Sequence, residues 1–174
     1  MVSLASAILG VCFLVFFSIA NAKYYNSPLK YFNVLDYGAD AHENRDNSQA
    51  TNFIESQAFL KAWYDACRRR GGGVVYIPYG TYKLNTVSFE GPCWGLIRFV
   101  IKGVLKAPTH PSLFSTNTWI GFRYINGLVV KGGGYLDGQG ASAWPYNDCS
   151  KNPQCRPLPV VRFPPSLVSL FGGR

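Results

Sequence analysis

Acidic residues and histidines are scarce in this chain: nine Asp and Glu and two His stand among 174 residues, against seventeen Lys and Arg. His42 and His110 sit at no recognisable metal-ligand spacing from any cysteine, so a zinc site has no sequence basis. No glycine-rich loop leads from a strand into a helix. Gly71-Gly72-Gly73 follows a helical segment and precedes a strand, the reverse of a phosphate-cradling loop, and no cofactor is expected. Aromatic-rich RNA-binding signatures are also lacking, which argues against nucleic acid as a partner. Charged residues make up only 15% of the chain and hydrophobic residues 48%, excluding a disordered polyelectrolyte and leaving enough apolar side chain for a folded core.

Residues 1–22 contain no Asp, Glu, Lys or Arg, and the apolar run from Ile8 to Phe17 has the character of a secretory h-region. Ala20-Asn21-Ala22 then supplies a small-x-small cleavage site. The expectation is a signal peptide over 1–22 and, over 23–174, the N-terminal part of a single domain, secreted to the extracellular space and cell wall. The n-region lacks its usual positive charge and the apolar stretch nearly reaches about 18 residues, so an uncleaved anchor is the competing reading. Cleavage would discard Cys12 and leave Cys67, Cys93, Cys149 and Cys155 in an oxidising compartment, where they are disulfide candidates. Four cysteines allow three connectivities. The short loop from Cys149 to Cys155 favours that pair, which leaves Cys67 with Cys93. The formal net charge of +8 suits polyanionic partners, and export makes acidic wall polysaccharide the relevant one, although basicity alone also serves solubility.

What is plentiful is turn-forming residues, eighteen Gly and eleven Pro, between short β-branched runs. Tyr31 to Ala39 alternates apolar and polar residues before a turn and predicts a first strand. Phe59, Ala62, Trp63, Ala66 and Cys67 recur at three- and four-residue intervals and predict an amphipathic helix over about 56–70. Arg68-Arg69-Arg70 and the three glycines then mark its end; the arginines fit a solvated helix terminus better than a polyanion site. Further strands are expected at Val74-Val75-Tyr76-Ile77, Thr81-Tyr82-Lys83-Leu84, 96–101, 119–125 and 128–130. Val100-Ile101-Lys102-Gly103 before Val104-Leu105 is echoed by Val129-Val130-Lys131-Gly132 before Tyr135-Leu136. Such an echo is expected of successive coils in a parallel β-solenoid, whose open end the helix would cap. A β-sandwich would use the same short strands, with more hairpin turns than Asn126-Gly127 and Asp137-Gly138 provide.

Several ordered segments carry a family resemblance: Phe32-Asn33-Val34-Leu35-Asp36-Tyr37-Gly38-Ala39, Ile77-Pro78-Tyr79-Gly80-Thr81-Tyr82, Phe89-Glu90-Gly91-Pro92-Cys93, the stretch from Gly132 to Gln139, and Asn147-Asp148-Cys149. Together they resemble the N-terminal part of plant polygalacturonases, glycoside hydrolase family 28, most closely the exo-acting members. The resemblance implies a mostly β, right-handed parallel β-helix of the pectin lyase type. It further implies a secreted monomer that hydrolyses α-1,4 bonds of polygalacturonate in pectin, without stable membrane association after signal cleavage.

The family's carboxylates come from N-T-D and D-D motifs, accompanied by G-H-G and R-I-K, and this sequence has none of the four. Asn85-Thr86 precedes Val87, Asn117-Thr118 precedes Trp119, and Val100 stands where an arginine would precede Ile101-Lys102. No catalytic residue is therefore assigned. Asp137 and Asp148 with Trp144 between them are the substitutes to test; a glycine turn, a polar loop residue and packing by Trp144 and Tyr146 are the plainer roles. Two departures from the family stand out. Ser48-Gln49-Ala50 recurs as Ser56-Gln57-Ala58, as though residues 51–58 were inserted, lengthening a loop or adding turns to the helix start. After Val161-Arg162-Phe163 the likeness stops, the end reads as truncated, and Pro164-Pro165 is expected to interrupt regular coil pairing. The alternatives to a hydrolase are a non-catalytic pectate-binding protein and a non-functional truncated product.

Overall fold

The computed structural model describes residues 28–42, 49–165 and 167–170. The expected signal peptide over 1–22 lies outside them. No helix among the described residues is long and apolar enough to cross a membrane.

The chain enters through β1 (Tyr31–Asn33) and a 3-10 turn at Val34–Tyr37, so the single strand expected over this stretch is cut short. Asn33 causes the change: its side-chain oxygen accepts from the Leu35 N–H at 3.1 Å, drawing the backbone into a turn that closes on Gly38. Helix α1 (Gln49–Cys67) follows, starting well before Ser56 and ending before Arg68. Residues 51–58 thus form turns at the start of the helix rather than a longer loop. Phe59, Ala62, Trp63, Ala66 and Cys67 form its buried face. Gly71 and Gly72, at φ 85° and 82°, then reverse the chain; a side chain at Gly72 would collide with the Leu96 carbonyl.

Three strands make each coil: β2 (Gly73–Ile77), β3 (Thr81–Lys83) and β4 (Val87–Glu90), then β5 (Ile97–Ile101), β6 (Val104–Lys106) and β7 (Thr118–Arg123). The next coil comprises β8 (Leu128–Gly132), β9 (Tyr135–Asp137) and β10 (Val160–Arg162), and β11 (Leu167–Leu170) begins another. Like strands stack into three sheets, ordered β1-β2-β5-β8-β11, β3-β6-β9 and β4-β7-β10, and every pairing is parallel. This arrangement is consistent with a parallel β-helix and removes the sandwich alternative. Asn126-Gly127 and Asp137-Gly138 accordingly join strands of different sheets.

The sequence echo marks adjacent coils but not their pairing. Val100 faces Lys131, two residues beyond the Val129 that the echo suggests, while Val104 does face Tyr135. A slip of two keeps every side chain on its own face, which is why the apolar pattern tolerates it. Pairing also persists past Pro164-Pro165, contrary to expectation. β11 lies beside β8 with a register shift between Leu167 and Ser169, and neither proline occupies a paired position.

Inside the coils, aromatic rings are in contact along the stack. Phe89 and Phe122 lie 5.1 Å apart and face one another in register across β4 and β7, and Phe163 continues the column 5.6 Å from Phe122. Trp63 closes the column from the helix, 5.1 Å from Phe89, and its indole N–H donates to the Glu90 carbonyl at 3.0 Å. A disulfide between Cys67 and Cys93 ties the helix end to the segment after β4.

Candidate functional site

Connections from the β3-β6-β9 sheet to the β4-β7-β10 sheet lengthen along the chain: Lys83 to Val87 is a few residues, Lys106 to Thr118 a loop, Asp137 to Val160 a long excursion. Loops carried by a rigid scaffold are where sites are commonly built. The two longer connections meet on one side of the stack and enclose a cavity of about 330 Å³ whose walls include Pro108, Phe114, Trp119, Trp144 and Leu158. Arg156 pins the second loop to the first by donating to the Ser115 carbonyl at 2.9 Å, and the His110 and Tyr146 rings meet edge-on at 4.6 Å. Within the second loop Cys149 and Cys155 are bonded, so their sulfurs serve no metal even though Asp148 lies close to both.

Neither of the two aspartates singled out from sequence lines this cavity. The Asp137 carboxylate accepts from the Gln139 N–H at 2.9 Å, fixing the turn, and Gln139 in turn donates its side-chain amide to the Ala107 carbonyl. Asp148 is exposed and accepts from the Asn152 side chain at 3.0 Å within its own loop. Both carboxylates serve local structure. Trp144 and Tyr146, expected to be packing residues, are instead 69% and 53% exposed, and Trp144 forms part of the cavity wall. Among the described residues, the surface around the cavity offers an aromatic wall and no acid-base pair.

The outer face of the neighbouring β4-β7-β10 sheet carries further polar groups. Glu90 of β4 pairs in register with Arg123 of β7, and the Ser88 hydroxyl donates to the Glu90 carboxylate at 3.1 Å. Arg162 of β10 donates through Nε to the Thr118 hydroxyl at 3.1 Å. Sequence reading gave Glu90 no role, because a lone carboxylate before Gly91-Pro92 carries no spacing signal. Inverting glycoside hydrolysis needs one carboxylic acid and one carboxylate on opposite sides of the scissile bond, and this face supplies a single one. The arginine run is largely structural: Arg69 donates to the carbonyls of Gly72 and Pro28, at 2.9 and 3.0 Å, while Arg68 bonds the Tyr64 hydroxyl at 2.8 Å and lies over the Trp94 ring.

The sequence profile of glycosyl hydrolases family 28 matches residues 67–163, more than half of the chain. This protein belongs to that family. An exopolygalacturonase of Platanus acerifolia is 46% identical over 126 residues, covering 72% of this chain and 31% of that protein. An exopolygalacturonase of Oenothera organensis is 40% identical over 104 residues, 59% of this chain and 29% of the relative. A polygalacturonase of Nicotiana tabacum is 33% identical over 138 residues, 79% and 32% respectively. The family 28 chain thus spans about a third of the length of these curated relatives. Its matched region begins at Cys67 and ends at Phe163, so it takes in all three described coils and both loops around the cavity.

Proposed function

We propose that this chain supplies the N-terminal coils of a secreted, exo-acting polygalacturonase, which hydrolyses α-1,4-galacturonosyl bonds of pectin in the cell wall by inverting acid-base chemistry. The observation that carries this reading is the match to family 28 across the stacked coils, together with the absence of a paired carboxylate around the cavity among the described residues. In this reading the coils wind right-handed, α1 shields their open first turn, and the acid and base belong to sequence this chain does not contain. The 174-residue chain is scaffold. It positions an aromatic-walled cleft and does not itself cut.

The test is an assay of new reducing ends on polygalacturonate. It compares this chain with a form extended past Arg174 that carries both carboxylate motifs. The longer form is expected to release galacturonate and the 174-residue form none. Release by the short form overturns the assignment of the catalyst, and failure of a longer form that carries both carboxylate motifs overturns the hydrolase reading.

A further inference from the structure

The outer face of the five-stranded sheet lies away from the loop-built cavity and carries a charge pattern that neither the fold nor the cavity requires. Across β1, β2, β5 and β8 the outward side chains form two columns, Tyr31-Val74-Arg98-Val129 and Asn33-Tyr76-Val100-Lys131, set by the strand register. None of the nine acidic residues lies on these strands. The cations here are Arg98 and Lys131, joined by Lys102 just beyond β5, and none of the three has a carboxylate within ion-pair distance among the described residues. Among the described residues, then, no carboxylate competes with an external anion for them.

This face is also shaped. An open groove of about 730 Å³ runs between Tyr31 and Tyr76 at one end and Lys102 and Lys131 at the other, with Val100 as its floor. The two tyrosine rings meet edge-on at 6.0 Å, and Tyr31 is 61% exposed, leaving a ring face free for stacking. Val74 and Val100 point outward yet are buried beneath their neighbours, which fixes an apolar base under the polar rim. At the lysine end Gly133 offers no side chain, and even an added Cβ there would meet nothing within 4 Å. The last β11 pair is at Val130, so Lys131 lies beyond the edge that β11 covers.

The geometry points to a second, non-catalytic carbohydrate site: the groove binds a linear polyuronate chain, a sugar ring stacking on Tyr31 and Tyr76 while successive carboxylates meet Lys102 and Lys131. Strands spaced about 4.8 Å apart present their side chains at intervals on the scale of one pyranose unit, so a saccharide laid across the coils meets one coil per sugar. Lysine ammonium groups pair with carboxylates as mobile point charges and demand no fixed orientation, which suits a polymer that slides. The choice of a polyuronate over other polyanions rests on the polygalacturonase reading above; the site itself does not. Such a groove would hold the protein on its polymer without taking part in bond cleavage.

Affinity electrophoresis of the full chain through gels containing polygalacturonate tests this directly. The parent is expected to be retarded, less so at raised salt. Lys102→Glu with Lys131→Glu is expected to weaken binding about tenfold, since two attractive contacts become repulsive. A charge-matched control, Lys61→Glu with Lys151→Glu, alters two exposed lysines elsewhere and should be retarded as the parent is. Tyr31→Ala keeps all charges and should also reduce retardation. Melting curves establish that each variant is folded; should the double reversal not fold, Lys102→Gln with Lys131→Gln replaces it. Equal retardation of the groove variants and the parent overturns the site, as does equal loss in the charge-matched control. Comparable binding of a single-stranded DNA oligomer at the same groove overturns the saccharide assignment. None of these results depends on reducing-end release, so the site and the hydrolase reading fail separately.

Discussion

The Lys83 backbone N–H donates to the Glu55 carboxylate at 2.7 Å, a bond between a buried helix residue and the free edge of strand β3. It is one of three. The outward N–H groups of Thr81, Lys83 and Asn85 donate in turn to the Ala41 carbonyl, Glu55 and the Ser56 hydroxyl, at 3.1, 2.7 and 3.0 Å. The first strand of its sheet would otherwise leave these donors unpaired. Glu55→Ala and Ser56→Ala should each lower stability by about 1–3 kcal/mol, the cost of a buried donor left without an acceptor. Chemical denaturation measures it, and unchanged midpoints would contradict the edge-sealing role.

The same bonds make a prediction about residues 51–58. Removing them places Ser48 three residues before Phe59 and Asn47 four before it, where Ser56 and Glu55 now stand. A hydroxyl and a side-chain carbonyl oxygen would again be available to Asn85 and Lys83. The shortened variant should therefore melt cooperatively, close to the parent and well above Glu55→Ala/Ser56→Ala. Loss of the cooperative transition would show that the additional turns are indispensable.

The aromatic column gives a test of the core. Phe89→Ala removes a ring in contact with Trp63, Phe99 and Phe122, so a loss of about 3–5 kcal/mol is expected. Phe89→Leu keeps most of the volume and should cost less. Equilibrium unfolding compares the two; similar values would mean that the ring contacts contribute little beyond space filling.

Both disulfides can be ranked. Cys67–Cys93 spans 26 residues and its Cys67 is buried, whereas Cys149–Cys155 spans 6 and Cys149 is exposed. Mild reductant should open the second first, as followed by thiol labelling and peptide mapping. Removing the first pair should destabilise by about 3 kcal/mol and the second by less, because the longer closed loop restricts the unfolded chain more.

Alkaline pH supplies a further measurement. Burial, reinforced by the bond its hydroxyl donates to Asp65 at 2.8 Å, pushes the Tyr37 phenol from 10.0 up to about 12, and burial does the same for Tyr82, aided by the charge of Glu55. The folded state favours the protonated phenols, so their contribution is complete below pH 10 and is lost as pH rises from 10 towards 12. Tyr37→Phe/Tyr82→Phe should flatten the decline in melting temperature across that window. An identical decline in the variant would exclude both tyrosines as its source.

How much of this was legible in sequence depends on what produces the signal. Strands β2, β5, β7 and β8 are visible because their inward residues are mostly β-branched, leucine or aromatic and turn residues bracket them. The start of α1 is not. Its first turns are buried through Asn52, Glu55 and Ser56 while Phe53 and Ile54 face solvent, so apolar periodicity points the wrong way there. Around the cavity, Trp144 was recognised as an aromatic between two aspartates. Its place in the cavity wall depends on how two loops, distant in sequence, fold against each other, whereas the bonds of Asp137 and Asp148 are local.

Residue order alone established the short turn-punctuated strands, the family motifs, the surplus of cations and the lack of paired carboxylates, because each is a property of neighbours along the chain. Pairing between coils, the sealing of β3 by Glu55 and Ser56, and the convergence of Tyr31, Tyr76, Lys102 and Lys131 were decided by tertiary structure. A parallel coil brings together residues separated by the whole length of the intervening turn, and that length varies from coil to coil, so no fixed spacing in the sequence records which side chains will meet.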